Sequence, residues 1–431
     1  MKALSSTLMV HPFVFFSLRS FQTDVGETLR IYGVVNALAA AGYPVTLISN
    51  AVRLDAFHPA VRHINLEYHF KGKRWLQGLL SLLPVPVVSF FFRRLSQKAQ
   101  MALRACGATG QRIFFFDYLD NTIGYFLAKT GQVAGYVNDV HGMAAIEFQN
   151  SRYQATKPFR KLVFRVKEWL ADRLDRKVFQ NADGLIFGSL TMQHYFVQRY
   201  QLTDTQKIVL PYLLDAFSLA KQPSPQLLAD AMKALGTVSG TFTFLFVGTY
   251  KATAGVEDLM AAFDQLYTRF KNVRLVLIGD GSHRAGCEAR AESYSSKAAI
   301  VFLNPVPYAT LSAYYNQAQV IVCPDRDNPF SQYIVHIKYP DALATGKLVI
   351  NGSFTSVQEL NTPQQLSMLF QPSDVADLFR NLYEAYTLYE EKCAQFAGTA
   401  NWIRQHYTYS HYTDRLNQFN DAVQTQTTSA S

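Results

Sequence analysis

The chain reads as an α/β protein of two Rossmann-like domains facing an interdomain cleft, and three observations carry that reading. It holds 431 residues, whereas single domains commonly hold roughly 100–200. Short apolar runs alternate with helical patterns, once before residue 218 and again after residue 240, as parallel sheets with crossover helices require. Between the two series, residues 218–240 are rich in Pro, Gln, Ser and Gly. Open α/β sheets hold ligands beyond the carboxyl ends of their strands, so two in tandem predict a cleft.

The first series opens with the apolar run Leu8–Phe16, a helical pattern over Leu29–Ala41 stopped by Gly42, and a strand within Pro44–Ile48, together a βαβ unit. Arg112–Phe116 and Val133–Val137 continue the sheet. A helix is expected over Lys161–Phe179, a strand at Gly184–Phe187, a helix over Leu190–Tyr200 and a strand at Lys207–Leu210, ending at Pro211. In the second series the order is strand Thr241–Val247, helix Val256–Phe270, strands Arg274–Ile278 and Ile300–Phe302, helix Ala309–Ala318, strand Val320–Cys323, helix Pro340–Thr345 and strand Leu348–Ile350. The expected domains are residues 1–217 and 241–400, joined by a linker at 218–240 in which Pro225–Leu235 has helical character. Residues 401–431 are read as a helix returning to the first domain, followed by a Thr-, Gln-, Ser- and Ala-rich tail.

Composition narrows the function classes. Hydrophobic residues at 49% and charged residues at 17% exclude a largely disordered chain. An excess of 41 Lys and Arg over 32 Asp and Glu gives +9, which favours anionic partners such as nucleotides or phospholipid headgroups. Nucleic acid is the weakest of these, because no basic zipper, zinc knuckle or aromatic-glycine motif is present. The four cysteines, Cys106, Cys287, Cys323 and Cys393, lie far apart without metal-ligand spacing and read as reduced structural thiols. Apolar residues near the start are interrupted by His11, Pro12 and Ser17. A cleavable leader is therefore not expected, nor is a spanning helix of about 20 apolar residues.

Phe244–Gly248, Gly255–Phe263 and Val276–Gly281, followed by Leu311–Tyr315, Ala318–Pro324, Lys338–Ile350 and Glu359, form an ordered set that resembles the donor half of the retaining GT-B glycosyltransferases of family 4, the group 1 glycosyl transferases. The amino-terminal half matches more loosely, through Gly26 ahead of a helix and Asp139-Val-His141-Gly142 after an apolar run. The resemblance implies a GT-B enzyme that moves a sugar from a nucleotide-sugar donor, bound by the second domain, to a glycan or lipid-linked acceptor against the first. It implies neither cofactor nor metal.

A donor diphosphate needs backbone N–H groups, helix N-termini or cations. Gly26, Gly248 and Gly279 are candidate points of close backbone approach, with ordinary strand-to-helix turns as the alternative. The Arg and Lys that relatives carry after the Val-Gly strand fall here on Thr249 and Ala254, leaving Lys251 between them as a substitute or a plain surface lysine. By resemblance Lys338 stands at the phosphate-side lysine, and Asp341 at the acid that accepts from ribose hydroxyls. The alternatives for these two are a solvated helix-end charge and a first-turn acid favoured by the helix dipole. Relatives place a glutamate beside the transferred sugar where this chain has Tyr333, which can hydrogen-bond a hydroxyl but brings no negative charge. His141 is the candidate catalytic residue near the sugar, with Asp139 orienting it or acting on the acceptor. Asp325-Arg-Asp327 has the spacing of a metal-binding DxD but reads as a solvated turn.

Lys71, Lys73, Arg74 and Trp75 lead into the apolar stretch Leu76–Phe92, which closes on Arg93 and Arg94. Pro84 and Pro86 interrupt it, so it reads as an interfacial helix and loop facing an anionic membrane, with a core helix capped by charges as the alternative. The expected protein is a cytoplasmic glycosyltransferase, peripheral on the membrane's cytoplasmic face, in glycan or glycolipid assembly. A scaffold that has lost transfer, or a sugar-nucleotide epimerase, are the rival readings.

Overall fold

The computed structural model describes residues 11–18, 21, 26–50, 56–68, 79, 82–83, 85–140, 142–214, 223–235 and 240–426. They divide into two compact units: residues 1–188, 192–211 and 409–431 form the first, and residues 189–191 and 212–408 the second.

The first unit follows the order β1 (Phe13–Phe16), α1 (Gly26–Ala40), β2 (Val45–Ser49), β3 (Arg62–Asn65), α2 (Val85–Cys106), β4 (Arg112–Phe116), α3 (Asp117–Lys129), β5 (Gly135–Val140), α4 (Ala144–Gln154), α5 (Pro158–Gln180), β6 (Gly184–Phe187), α6 (Leu190–Tyr200) and β7 (Gln206–Val209). Its seven strands are parallel, ordered β3-β2-β1-β4-β5-β6-β7. β1 and β4 are buried along their whole length and stack aromatic rings across the sheet, Phe15 on Phe116 at 5.0 Å and Phe16 against Phe115 at 5.2 Å. A strand covered on both faces reads as a continuous apolar run.

In the second unit come α7 (Pro225–Leu235), β8 (Phe242–Val247), α8 (Val256–Arg269), β9 (Val273–Ile278), α9 (Arg284–Ala291), β10 (Ile300–Leu303), α10 (Leu311–Gln317), β11 (Val320–Cys323), α11 (Lys338–Leu343), β12 (Leu348–Gly352), α12 (Thr355–Asn361), β13 (Met368–Phe370), α13 (Val375–Thr387), α14 (Tyr389–Gln395) and α15 (Thr399–His406). Six parallel strands run β10-β9-β8-β11-β12-β13. Phe244, Phe246, Leu259, Phe263, Leu275, Leu277, Val322 and Leu378 form its core. Pro225–Leu235, within the expected linker, folds as α7: Ala231 and Leu235 bury their side chains, and Arg274 donates to the Leu235 carbonyl at 2.8 Å.

The chain then returns to the first unit. Gly33 of α1 lies so close to Tyr409 that a Cβ there would stand 2.1 Å from its ring. The last helix, α16 (Thr413–Gln424), is tied down by Asn420, which donates to the His11 carbonyl at 3.0 Å, and by Gln424, which accepts from the Arg112 N–H at 3.0 Å. Strand order reverses between β1 and β4 in one unit and between β8 and β11 in the other. Ligands of doubly wound sheets sit beyond such switch points. No described helix is long and apolar enough to cross a membrane.

Candidate functional site

In the second unit the ends of β8, β9 and β11 are knitted by backbone. The Gly248 N–H donates to Ile278 at 3.0 Å and the Tyr250 N–H to Asp280 at 2.9 Å. Gly279 has φ +144°, and a Cβ there would lie 1.9 Å from the Gly248 carbonyl oxygen. Gly255, at φ +66°, precedes α8 with its missing Cβ 1.8 Å from the Pro324 oxygen. Glycine at 279 and 255 is thus demanded by neighbouring backbone, a packing reason that the turn sequence alone does not reveal.

Beyond these ends lies a cluster of charged groups. Lys338, first in α11, sets its ammonium 2.5 Å from Asp325 Oδ2 and 5.2 Å from the centre of the Phe246 ring. Asp325 is 3% exposed. Burial alone would raise its pKa, but Lys338, His336 and Lys251 together outweigh that and hold it below the ordinary carboxylate range. Half-buried His336 is pushed down to about 4, chiefly by burial, with the two lysines adding and Asp325 opposing, so its imidazole is neutral at physiological pH. Lys251 is exposed on the loop after β8, beside a short 3₁₀ turn at Ala252–Ala254.

Asp341, on the same short helix as Lys338, turns to a different partner. The Tyr308 hydroxyl contacts both of its oxygens, at 3.1 and 3.0 Å. Burial raises its pKa to about 7, against the opposing effect of that hydroxyl. The helix begins at Lys338, two residues ahead of the expected Pro340. Tyr333 is half-buried in the preceding loop, where its N–H donates to Phe330 at 3.1 Å. That loop is pinned by Gln332, whose carboxamide donates to Asp327 at 2.9 Å and accepts from Thr355 at 3.0 Å.

The solvated-turn reading of Asp325-Arg326-Asp327 is corrected. Asp325 is buried on Lys338, and Arg326 is held by both oxygens of Asp258 at 2.6 Å and by Glu257 at 3.0 Å. Of the three only Asp327 is exposed. A shallow hollow beside Lys251 reaches His283, Cys287 and Arg326.

In the first unit Asp139, next to last in β5, is buried and gripped by Arg30, Nε to Oδ2 and Nη2 to Oδ1, both at 2.8 Å. Arg30 also donates to the Leu210 and Pro211 carbonyls at 2.8 Å, so one guanidinium joins α1, β5 and the chain beyond β7. Both oxygens of Asp139 accept from Arg30. Gly26 is the first residue of α1. His141 lies outside the described residues, as do Lys71, Lys73, Arg74 and Trp75, whereas Arg93 and Arg94 stand exposed on α2.

Arg30, His336 and Tyr308 escaped the sequence reading, and Asp325 entered it only as part of a solvated turn. An acid two residues beyond the buried strand Val320–Cys323, and an arginine inside the apolar pattern Leu29–Ala41, were the available signals for Asp325 and Arg30, since charges in such places need partners.

Residues 229–401 match the model of the family described as Glycosyl transferases group 1. An uncharacterized glycosyltransferase of Methanocaldococcus jannaschii is 30% identical over 128 residues, which span 30% of this chain and 31% of that protein's length. Among solved structures, sucrose-phosphate synthase from Thermosynechococcus elongatus superposes with a TM-score of 0.69 at 18% identity, covering 95% of this chain and 98% of that one. HepE of Anabaena, solved in complex with UDP-glucose, superposes with a TM-score of 0.65 at 13% identity, covering 95% and 99%. The α/β fold, with parallel sheets of seven and six strands, matches that of the GT-B glycosyltransferases.

Proposed function

From a chain whose residues 229–401 carry a group 1 glycosyltransferase domain, we infer an enzyme that transfers a sugar from a nucleotide-sugar donor held by the second unit. The observation that carries this reading is the group formed by Lys251, His336, Lys338 and Asp325 beyond the strand ends of that domain. An entering diphosphate meets the exposed ammonium of Lys251, while Lys338, fixed by Asp325, adds a positioned cation. Asp341 accepts from a ribose hydroxyl, and Tyr333 with its neighbouring backbone orients the sugar. Transfer with retention then breaks the bond from the anomeric carbon to the diphosphate and forms one to the acceptor oxygen. The acceptor proton leaves on the phosphate, and positioning with electrostatic stabilisation supplies the rate.

The acceptor is a glycan or lipid-linked glycan received by the first unit, near Gly26 and His141, in polysaccharide or glycolipid assembly. Arg93 and Arg94 on α2, beside exposed Phe90 and Val87, support contact with an anionic membrane surface from the cytoplasmic side. Release of nucleoside diphosphate from UDP-, GDP- and ADP-sugars, with and without acceptor extracts, tests the reading. Binding without release for every donor would instead favour a scaffold, the rival motivated by Tyr333, Thr249 and Ala254.

A further inference from the structure

We propose that the outer face of α5 rests on an anionic lipid surface. The inference goes beyond the contact ascribed to α2, and it stands even if α2 meets no lipid.

Phe159, Leu162, Val166 and Trp169 of α5 are 75%, 60%, 48% and 55% exposed. Their spacing of i, i+3, i+7 and i+10 gathers them on one side of the helix. Leu170, Ala171, Leu174, Val178 and Phe179, in the second half of the same helix, are buried in the unit. The helix is therefore anchored in the unit by its second half and carries an exposed apolar stripe along its first. Scattered exposed apolar residues are ordinary, but a continuous stripe marks an interaction surface.

Charge decides what covers it. Residues 157–167 hold Lys157, Arg160, Lys161, Arg165 and Lys167 and no acid, and the first four are exposed. The nearest acids are spent within the protein: Glu168 pairs with Arg152 at 2.9 Å, Asp172 with Arg199 at 2.7 Å, and Asp175 is buried. A second copy of the chain would set cation against cation. A surface offering anionic headgroups over hydrocarbon satisfies stripe and cations together. Trp169, with the Arg173 guanidinium 5.9 Å from its ring centre, has the amphipathic character of interfacial tryptophan. α3 packs against both α5 and α2, so Arg93 and Arg94 belong to the same helical layer.

The test uses the full chain with vesicles of phosphatidylcholine alone and of phosphatidylcholine with phosphatidylglycerol. The expected result is sedimentation with the anionic vesicles, lost at high salt and weakened at least about tenfold by Phe159→Ser/Leu162→Ser or by Arg160→Glu/Lys161→Glu/Arg165→Glu. Circular dichroism of these surface variants should be unchanged. With Trp75→Phe/Trp402→Phe leaving Trp169 alone, brominated phosphatidylglycerol should quench its fluorescence. Sedimentation without quenching, unaltered binding by the stripe variants, or no binding to either vesicle overturns the proposal. So does a lipid-free dimer that Phe159→Ser/Leu162→Ser dissociates. The α2 contact fails separately, if Arg93→Glu/Arg94→Glu binds like the parent chain.

Discussion

Lys338 holds the buried carboxylate of Asp325 at 2.5 Å, across a loop that separates them by a full excursion from β11 to α11. Removing one member of a buried ion pair leaves a charge without its partner, at about 3–5 kcal/mol. Lys338→Ala should therefore destabilise the second unit by that order in denaturant unfolding. Lys338→Met/Asp325→Leu should recover much of the loss. A cost below about 1 kcal/mol for Lys338→Ala would mean that the pair bears little of the fold.

Arg30 and Asp139 make the same kind of prediction in the first unit, with a further consequence. Arg30 also satisfies the Leu210 and Pro211 carbonyls, so Arg30→Met takes the guanidinium from the acid and from two acceptors at once. It should cost more than Asp139→Asn, which keeps the shape and frees a donor, and both should fall in the range of several kcal/mol. Equal and small effects in unfolding experiments would contradict the anchoring role.

Asp341 should imprint a pH dependence on stability. Its folded pKa of about 7 lies above the ordinary 3.8, so the folded state favours the protonated form. That contribution is complete below about pH 4 and lost as pH rises through about 7. Its size is on the order of a few kcal/mol, reduced by whatever part of the carboxyl meets solvent. Stability of the parent relative to Asp341→Asn should fall across this interval and level off above it. A difference that stays flat from pH 4 to 8 would rule this out.

The glycines separate cleanly. At Gly279 an added Cβ meets the Gly248 backbone at 1.9 Å in a positive-φ conformation, whereas at Gly248 it meets only the Phe246 ring at 3.1 Å. Gly279→Ala should abolish soluble folded protein or lower its melting temperature sharply. Gly248→Ala should cost about 1 kcal/mol or less. Comparable melting curves for the two variants would refute the distinction.

Much of the fold was legible because its central strands are buried on both faces and therefore appear as unbroken apolar runs. Thr241–Val247, Arg274–Ile278 and Val320–Cys323 were expected and stand as β8, β9 and β11 within a residue. The edge strand β3, Arg-His-Ile-Asn, buries none of its side chains and is specified by pairing with β2, which leaves no periodic signal. The site was less legible. Lys338 and Asp341 could be named from order along the chain, but their partners Asp325 and Tyr308 are set by loop closure, and Arg30 reaches Asp139 across 109 positions. Local spacing carries no record of such contacts.

The central claim is that the second unit binds a sugar nucleotide through the cluster around Lys251 and Lys338. Thermal-shift titration of UDP-, GDP- and ADP-sugars measures it directly, using the parent chain, the exposed-site variant Lys251→Ala, and Lys338→Ala at a temperature where it is folded. One donor class should stabilise the parent, by about 2.7 kcal/mol at a hundredfold excess over its dissociation constant. Each substitution should weaken that donor's affinity about tenfold or more, the scale of one charge-assisted contact. Stabilisation that survives both substitutions undiminished, or its absence with every donor, would contradict the account.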